Sequence, residues 1–215
     1  MPIRCLIFLL IACPLFGQGS MGKIIGTVVD ERGTPVPHAQ VSPDIRGVFV
    51  MSSLVVIVET DANGRFEING LAWGSYDLYA SKEADGYPNT RFSICRTRPA
   101  PKVTLSPGHP TGQATLVIGP QGGVLVVSVR DAVSGAPVNS QLVLKRADGL
   151  GEIMISEPAD FHALLPTNTD LSIEIRQQGY KPWSYATRPN SFLRVRSGEQ
   201  VKIEVEIVPA RVETR

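Results

Sequence analysis

The stretch from Thr60 to Tyr79 constrains the fold more than any other part of the sequence. Asn63-Gly64 is a strong turn signal, because Asn and Gly accept the positive φ angles that tight turns need. Apolar and polar side chains then alternate over residues 66–69, which is the period of a half-buried β-strand. Residues 70–74 interrupt the pattern, and residues 76–80 resume it. The stretch therefore predicts a hairpin turn followed by two strands.

The rest of the chain repeats this pattern of short extended runs and turns. Its 20 glycines and 17 prolines are spread between apolar runs, and no helical period persists over three turns. The run Val48–Val58 is rich in valine and is predicted to be a buried strand or strand pair. These features predict an all-β protein, with further strands at Lys23–Val29, Ala39–Ile45, Val48–Val58 and Thr90–Ile94.

The two halves of the chain share landmarks in the same order, which predicts a duplicated unit. We expect one β-sandwich over residues 22–120, a second over 121–209 and a tail over 210–215. The junction is the Gly/Pro-rich stretch Gly119–Gly123. The paired landmarks are Asp30 and Asp131, Gly33 and Gly135, Pro35 and Pro137, Phe66 and Phe161, Leu71 and Leu165, and Gly86-Tyr87 and Gly179-Tyr180.

The N-terminus has the pattern of an export signal. Arg4 precedes the apolar run Cys5–Ala12, and Gly17-Gln18-Gly19 provides a cleavage context, so residues 1–19 are predicted to be a signal peptide. An alternative is a lipid anchor at Cys13, because residues 10–13 resemble a lipobox. The apolar run is too short to span a bilayer, and no transmembrane span is predicted. We expect export to the periplasm, the cell surface or the medium.

Charge and motif content argue against several functions. The net charge is +1, from 21 Lys+Arg and 20 Asp+Glu, which disfavours binding to nucleic acid. His38, His109 and His162 stand apart from other metal-ligand patterns, and nucleophile-elbow and phosphate-loop motifs are missing. Asp61-Ala62-Asn63-Gly64 starts like a calcium loop, but Ala72 occupies the place of its bidentate Glu. We predict no catalytic residue, metal or cofactor.

Two tryptophans are the candidate ligand-binding residues. Trp73 and Trp183 each lie beside turn residues, so exposed indole rings there could stack on a sugar. The competing interpretation is that both rings pack against the core, as most tryptophans do. Removal of the leader would leave Cys95 as a lone cysteine, and we expect it to be a small buried residue.

The first half of the chain carries a series of short motifs: Gly26–Asp30, Gly33–Val36, Ala39–Val41, Thr60–Phe66, Gly70-Leu71, Gly74–Tyr76 and Gly86-Tyr87. Together they resemble the carboxypeptidase regulatory-like domain. This resemblance implies a transthyretin-like (prealbumin-like) sandwich of about seven strands, without catalytic residues of its own. It extends over residues 22–94 and is weaker over 123–209. The second copy lacks the Asp-x-Asn-Gly turn, and Ala72-Trp73 replaces a usual proline in the first.

The sequence thus predicts a non-enzymatic scaffold or protein-interaction module of a bacterial envelope or secreted system. Its expected partner is a cell-envelope protein or polysaccharide. The alternative is a carbohydrate-binding module of similar fold that uses Trp73 and Trp183. An enzyme of this fold would need His and Arg side chains clustered at one mouth of the sandwich, and neither half of the sequence offers such a cluster.

Overall fold

A computed structural model of the protein describes residues 21–45, 56–157, 159–185 and 191–210. The described chain forms two β-sandwiches and two short 3-10 turns, at Glu83–Asp85 and Ser93–Cys95. The prediction of two tandem all-β sandwiches is confirmed. The leader with Cys13, residues 46–55 and the last five residues lie outside the described ranges. Within these ranges, no helix is long and apolar enough to cross a membrane.

The first sandwich consists of two facing sheets with an apolar core between them. One sheet has the strand order β4-β1-β7 and the other β3-β2-β5-β6. Strands β1 and β7 run parallel, whereas the other neighbours are antiparallel. The strands are β1 (Gly22–Val29), β2 (Gln40–Ile45), β3 (Val58–Glu59), β4 (Arg65–Leu71), β5 (Gly74–Ser81), β6 (Lys102–Leu105) and β7 (Thr111–Val117).

The second sandwich repeats this topology strand by strand. Its sheets have the orders β11-β8-β14 and β10-β9-β12-β13, and β8 and β14 are again parallel. The predicted junction, Gly119–Gly123, falls where β7 ends and β8 begins; the division of the chain at that point remains a prediction. The strands are β8 (Gly123–Asp131), β9 (Ser140–Arg146), β10 (Glu152–Glu157), β11 (Asp160–Leu165), β12 (Leu171–Arg176), β13 (Trp183–Ser184) and β14 (Gln200–Ile207).

The turn at Asn63-Gly64 forms, but the predicted hairpin is wrong. Asp61 Oδ1 accepts hydrogen bonds from the backbone N–H groups of Asn63 and Arg65, both at 2.8 Å, and Gly64 has φ +70°. The turn nevertheless connects β3 of one sheet to β4 of the other. Alternation shows which face of a strand is buried, but it does not show which sheet the strand joins.

Two apolar stretches also differ from their predictions. Thr90–Ile94 was expected to be a strand, but its end enters the 3-10 turn Ser93–Cys95, because Ile94 is buried by packing rather than by pairing. The prediction of a buried strand over Val48–Val58 fails in its described part. Val56 and Ile57 are exposed there, and β3 begins only at Val58.

Candidate functional site

The connection between β5 and β6 is the main contact between the two sandwiches. We call residues 82–101 the crossover segment. It leaves the first sandwich after Ser81 and returns at Lys102. Between these points it packs against the second sandwich, with Ile94 and Cys95 inside that sandwich's core. The segment therefore connects two strands of the first sandwich, and its residue Tyr87 packs against the first core, whereas Ile94 and Cys95 belong to the second sandwich by packing.

The apolar part of this contact is fully enclosed. Ile94 is 2% exposed and Cys95 5% exposed, and both belong to the core cluster that contains Leu125, Leu144 and Leu165. Burial raises the pKa of the Cys95 thiol to about 12, so the sulfur stays protonated and is a poor nucleophile at neutral pH. Cys95 is thus the small buried residue that the sequence predicts, but in the core of the other sandwich.

Ser93 attaches the crossover segment to the backbone of β10. Its Oγ donates a hydrogen bond to the carbonyl oxygen of Glu152 at 3.1 Å and accepts one from the N–H of Glu152 at 3.2 Å. The chains approach so closely that a Cβ on Gly151 would lie 2.6 Å from the carbonyl carbon of Ser93. Gly151 is therefore required for close contact rather than for a turn.

Two arginines hold the C-terminal side of the crossover segment. Arg96 Nε and Nη2 donate to the carbonyl oxygens of Thr90 and Arg91, at 2.8 and 2.7 Å, and its guanidinium lies 5.0 Å from the centre of the Tyr79 ring. Arg146 of β9 donates from Nη1 to the carbonyl oxygen of Arg96 at 2.8 Å. The first arginine shapes the segment, and the second ties it to the second sandwich.

A further tie lies at the junction itself. The N–H of Gly122 donates to the carbonyl oxygen of Gly86 at 2.7 Å, and Gln121 Nε2 donates to that of Asp85 at 2.8 Å. A Cβ on Gly122 would lie 2.1 Å from the carbonyl oxygen of Leu165. The short connection between the sandwiches is thus bonded to the crossover segment and pressed against the second sandwich.

The structure places the two candidate tryptophans in different sandwiches, each half-buried against its own core. Trp73 lies between β4 and β5 and packs against the first core. Trp183 lies opposite Ile175 in the register of β12 and β13 and packs against the second core. Its ring lies 6.4 Å from that of Tyr185, tilted by 57°. Neither position is fully exposed, and a role in binding sugar stays a prediction for both.

A broad concavity with a volume of about 1020 Å³ lies on the outer face of the β4-β1-β7 sheet. Its rim carries His38 and Glu59, with His38 Nδ1 at 2.5 Å from Glu59 Oε1, and both side chains are exposed. Thr27 and Gln113 also line it, together with apolar residues such as Ile25. Among the described residues, no three His, Cys, Asp or Glu side chains converge as a metal site would require.

Comparison with known proteins places the first sandwich in context. Residues 23–118, less than half of the chain, match the sequence model of the carboxypeptidase regulatory-like domain. No match to a curated protein was found. The first half is therefore similar to this domain, as its motifs predict.

Solved structures similar to this chain include a Bacillus anthracis protein and a streptococcal pilin. The Bacillus anthracis TIE protein is 16% identical over 88% of this chain, with a TM-score of 0.36. A streptococcal ancillary pilin is 14% identical over 90%, with a TM-score of 0.38. This chain spans only 34% and 63% of those two proteins. Likenesses at this level carry no functional argument.

Sequence reasoning missed the crossover segment as a functional element. The local signal was small: the apolar residues Phe92, Ile94 and Cys95 lie in a stretch flanked by Pro88 and Pro99, without a strand partner to assign. Repeat matching pointed the other way, because it placed this stretch wholly within the first unit.

Proposed function

We propose that this chain is a non-enzymatic scaffold or protein-interaction module that works outside the cytoplasm, in a bacterial envelope or secreted system. The observation that supports it best is the burial of Ile94 and Cys95 in the core of the second sandwich. This packing resists relative motion of the two sandwiches, since separation would expose apolar side chains and break the bonds of Ser93 and Arg146. A body of fixed geometry suits a spacer or a docking platform.

Export forms part of this proposal and rests on the leader sequence. The intact mass of the chain recovered from the producing bacterium tests it. A mature chain that begins near Ser20 supports plain secretion, whereas a lipidated Cys13 supports anchoring to a membrane surface. A chain that retains Met1 contradicts both forms of export.

Parallel retention assays test the interaction role. The purified mature chain is immobilised and exposed separately to envelope proteins and to envelope polysaccharides from the same bacterium. Saturable retention of a defined protein, confirmed with that protein in pure form, is the expected result. Retention of polysaccharide alone, or turnover of any substrate by the purified chain, contradicts the proposal.

The carbohydrate-binding alternative draws on the aromatic pair of Trp183 and Tyr185 and on the half-buried Trp73. If a glycan stacks there, Trp73→Ala and Trp183→Ala remove its retention while the protein stays folded. Phe92→Ala is the matched control, because Phe92 is an exposed aromatic residue outside both candidate positions. Retention unchanged by both tryptophan variants rules these residues out as the stacking platform.

A further inference from the structure

One edge of the second sandwich is an open strand edge beside an apolar groove. Strand β10 pairs with β9 along an unbroken antiparallel register, from Glu152 opposite Lys145 to Glu157 opposite Ser140. No second strand among the described residues pairs with β10, which is the terminal strand of its sheet. Exposed strand edges carry unpaired backbone donors and acceptors and can accept an added strand.

The register shows which backbone groups point outward. The N–H of Arg146 bonds to the carbonyl oxygen of Gly151, so Gly151 faces β9, and Ile153 and Ile155 face it as well. The backbone groups of Glu152, Met154 and Ser156 therefore face away from β9. They form a row of outward donors and acceptors two residues apart, which matches the repeat of an extended chain.

The first position of this row is already used within the protein. Ser93 Oγ bonds both the N–H and the carbonyl oxygen of Glu152. The crossover segment thus supplies at Glu152 the two bonds that a neighbouring strand would supply, and then turns away through Ser93–Cys95. The outward groups of Met154 and Ser156 continue the same row.

The groove next to this edge is lined mainly by aliphatic side chains. It has a volume of about 420 Å³ and lies between β10 and β11, which belong to opposite sheets. Its walls include Ile94, Ile153, Ile155, Ala163 and Leu165. Phe92 and Met154 also line the groove, and they are 45% and 50% exposed.

We propose that β10 and this groove bind an extended segment of a partner protein with apolar side chains at alternate positions. The segment pairs with Met154 and Ser156, in continuation of the internal contact that Ser93 makes, and its alternate side chains enter the groove. Main-chain hydrogen bonds supply affinity and the groove supplies selectivity. This inference rests on the proposed interaction function and names the site that performs it.

Selection of random linear peptides displayed on phage, against the full mature chain, tests the site. Peptides with alternating apolar residues should be enriched. In hydrogen exchange, their binding should protect the amides of Met154 and Ser156 and leave that of Ile153, which already bonds β9, unchanged. Absence of any enriched peptide, or protection elsewhere only, overturns the proposal.

Matched proline variants sharpen the test. Met154→Pro removes an outward N–H without removing a bond to β9, and it should weaken peptide binding about tenfold or more. Glu204→Pro is the control, because Glu204 lies in β14, which is also a terminal strand. The carbonyl oxygen of Glu199 accepts a hydrogen bond from the N–H of Val124 in β8, so Val201 and Ile203, at alternate positions from Glu199, also face β8. The N–H of Glu204 therefore faces away from β8. Equal weakening by both variants overturns the site.

A side-chain variant guards against a misfolded proline variant. Phe92→Ala leaves the backbone of β10 intact and should weaken the selected peptides by several-fold, with thermal unfolding unchanged. If the chain associates with itself and Met154→Pro abolishes this association, the segment bound at β10 comes from a second copy of the chain. That result would overturn the proposal of a partner protein. If Met154→Pro and Phe92→Ala both retain a pure envelope protein as strongly as the wild type does, this site is wrong. The proposed interaction function would then still stand.

Discussion

Corresponding stretches of the two sandwiches follow different courses after the same strand. In the second sandwich, the chain after β12 returns to its own sheet, where Trp183–Ser184 pairs with β12 and Leu193 bridges Leu171. In the first, the chain after β5 crosses to the neighbour and contributes Ile94 and Cys95 to its core. A change in one connection is enough to convert two similar units into one interdependent body.

The turns after β1 and β8 show a smaller difference of the same kind. Asp30 accepts hydrogen bonds from the backbone of Arg32 and Thr34, and Asp131 likewise from that of Val133 and Ser134. Asp131 also accepts a bond of 2.8 Å from Tyr180 Oη. In the first sandwich, Tyr87 follows Gly86 as Tyr180 follows Gly179, but Gly86 belongs to the crossover segment and bonds to Gly122.

The largest effect is expected at Ile94. Ile94→Ala leaves a cavity in the second core and should lower its free energy of unfolding by about 2–5 kcal/mol. Denaturant unfolding followed by Trp183 fluorescence, in a Trp73→Phe background, measures it. Phe92→Ala, two residues away but exposed, should change the same quantity by less than about 0.5 kcal/mol. An equally small change for Ile94→Ala would mean that the segment is not part of this core.

A moderate effect is expected at Gly26, where the two sandwiches also differ. Phe66 lies opposite Gly26, whereas Phe161 lies opposite Val127. A Cβ on Gly26 would lie 2.1 Å from the carbonyl oxygen of Ala114 and 2.6 Å from the Phe66 ring. Gly26→Ala should therefore destabilise the first sandwich by about 1–3 kcal/mol. Thermal unfolding followed by Trp73 measures the loss, and Gly108→Ala, which meets nothing within 4 Å, is the control.

The smallest effect concerns acid stability. Hydrogen bonds from Ser134, Tyr180 and Val133 lower the pKa of Asp131 to about 2, below its ordinary value of about 3.9. A lowered folded-state pKa means that these bonds stabilise the protein above about pH 4, and that this stability is lost as the pH falls towards 2. Tyr180→Phe removes one donor and raises this pKa towards its ordinary value, so the pH-dependent loss of stability should be smaller and should be complete at a higher pH.

Acid unfolding followed by Trp183 fluorescence measures that shift. Tyr87→Phe, at the corresponding position of the first sandwich, is the matched control and should leave the acid transition of the second sandwich in place. An acid profile of Tyr180→Phe that coincides with that of the wild type would show that the Tyr180 bond does not influence Asp131.

Local signals in the sequence predict much of the fold, because alternation and turn chemistry are local properties. Phe66, Ile68, Tyr76 and Leu78 are buried as their spacing predicts, and Asp61 and Gly64 form the expected turn. The sheet that each strand joins depends on distant partners, so the hairpin prediction failed. The apolar character of Ile94 did not show which core would bury it, since that core is formed by distant residues that begin with Leu125.

Native-state hydrogen exchange of the full chain tests the central claim most directly. The amide of Cys95 bonds to the carbonyl oxygen of Phe92, so its exchange reports opening of the crossover segment. Val28→Ala and Val129→Ala are matched core variants, because each valine is buried and its carbonyl accepts the corresponding bond, from Val36 and from Val138. The account predicts that Cys95 loses protection in Val129→Ala and much less in Val28→Ala. Loss of protection in Val28→Ala alone would show that the segment belongs to the first sandwich, and would contradict the account.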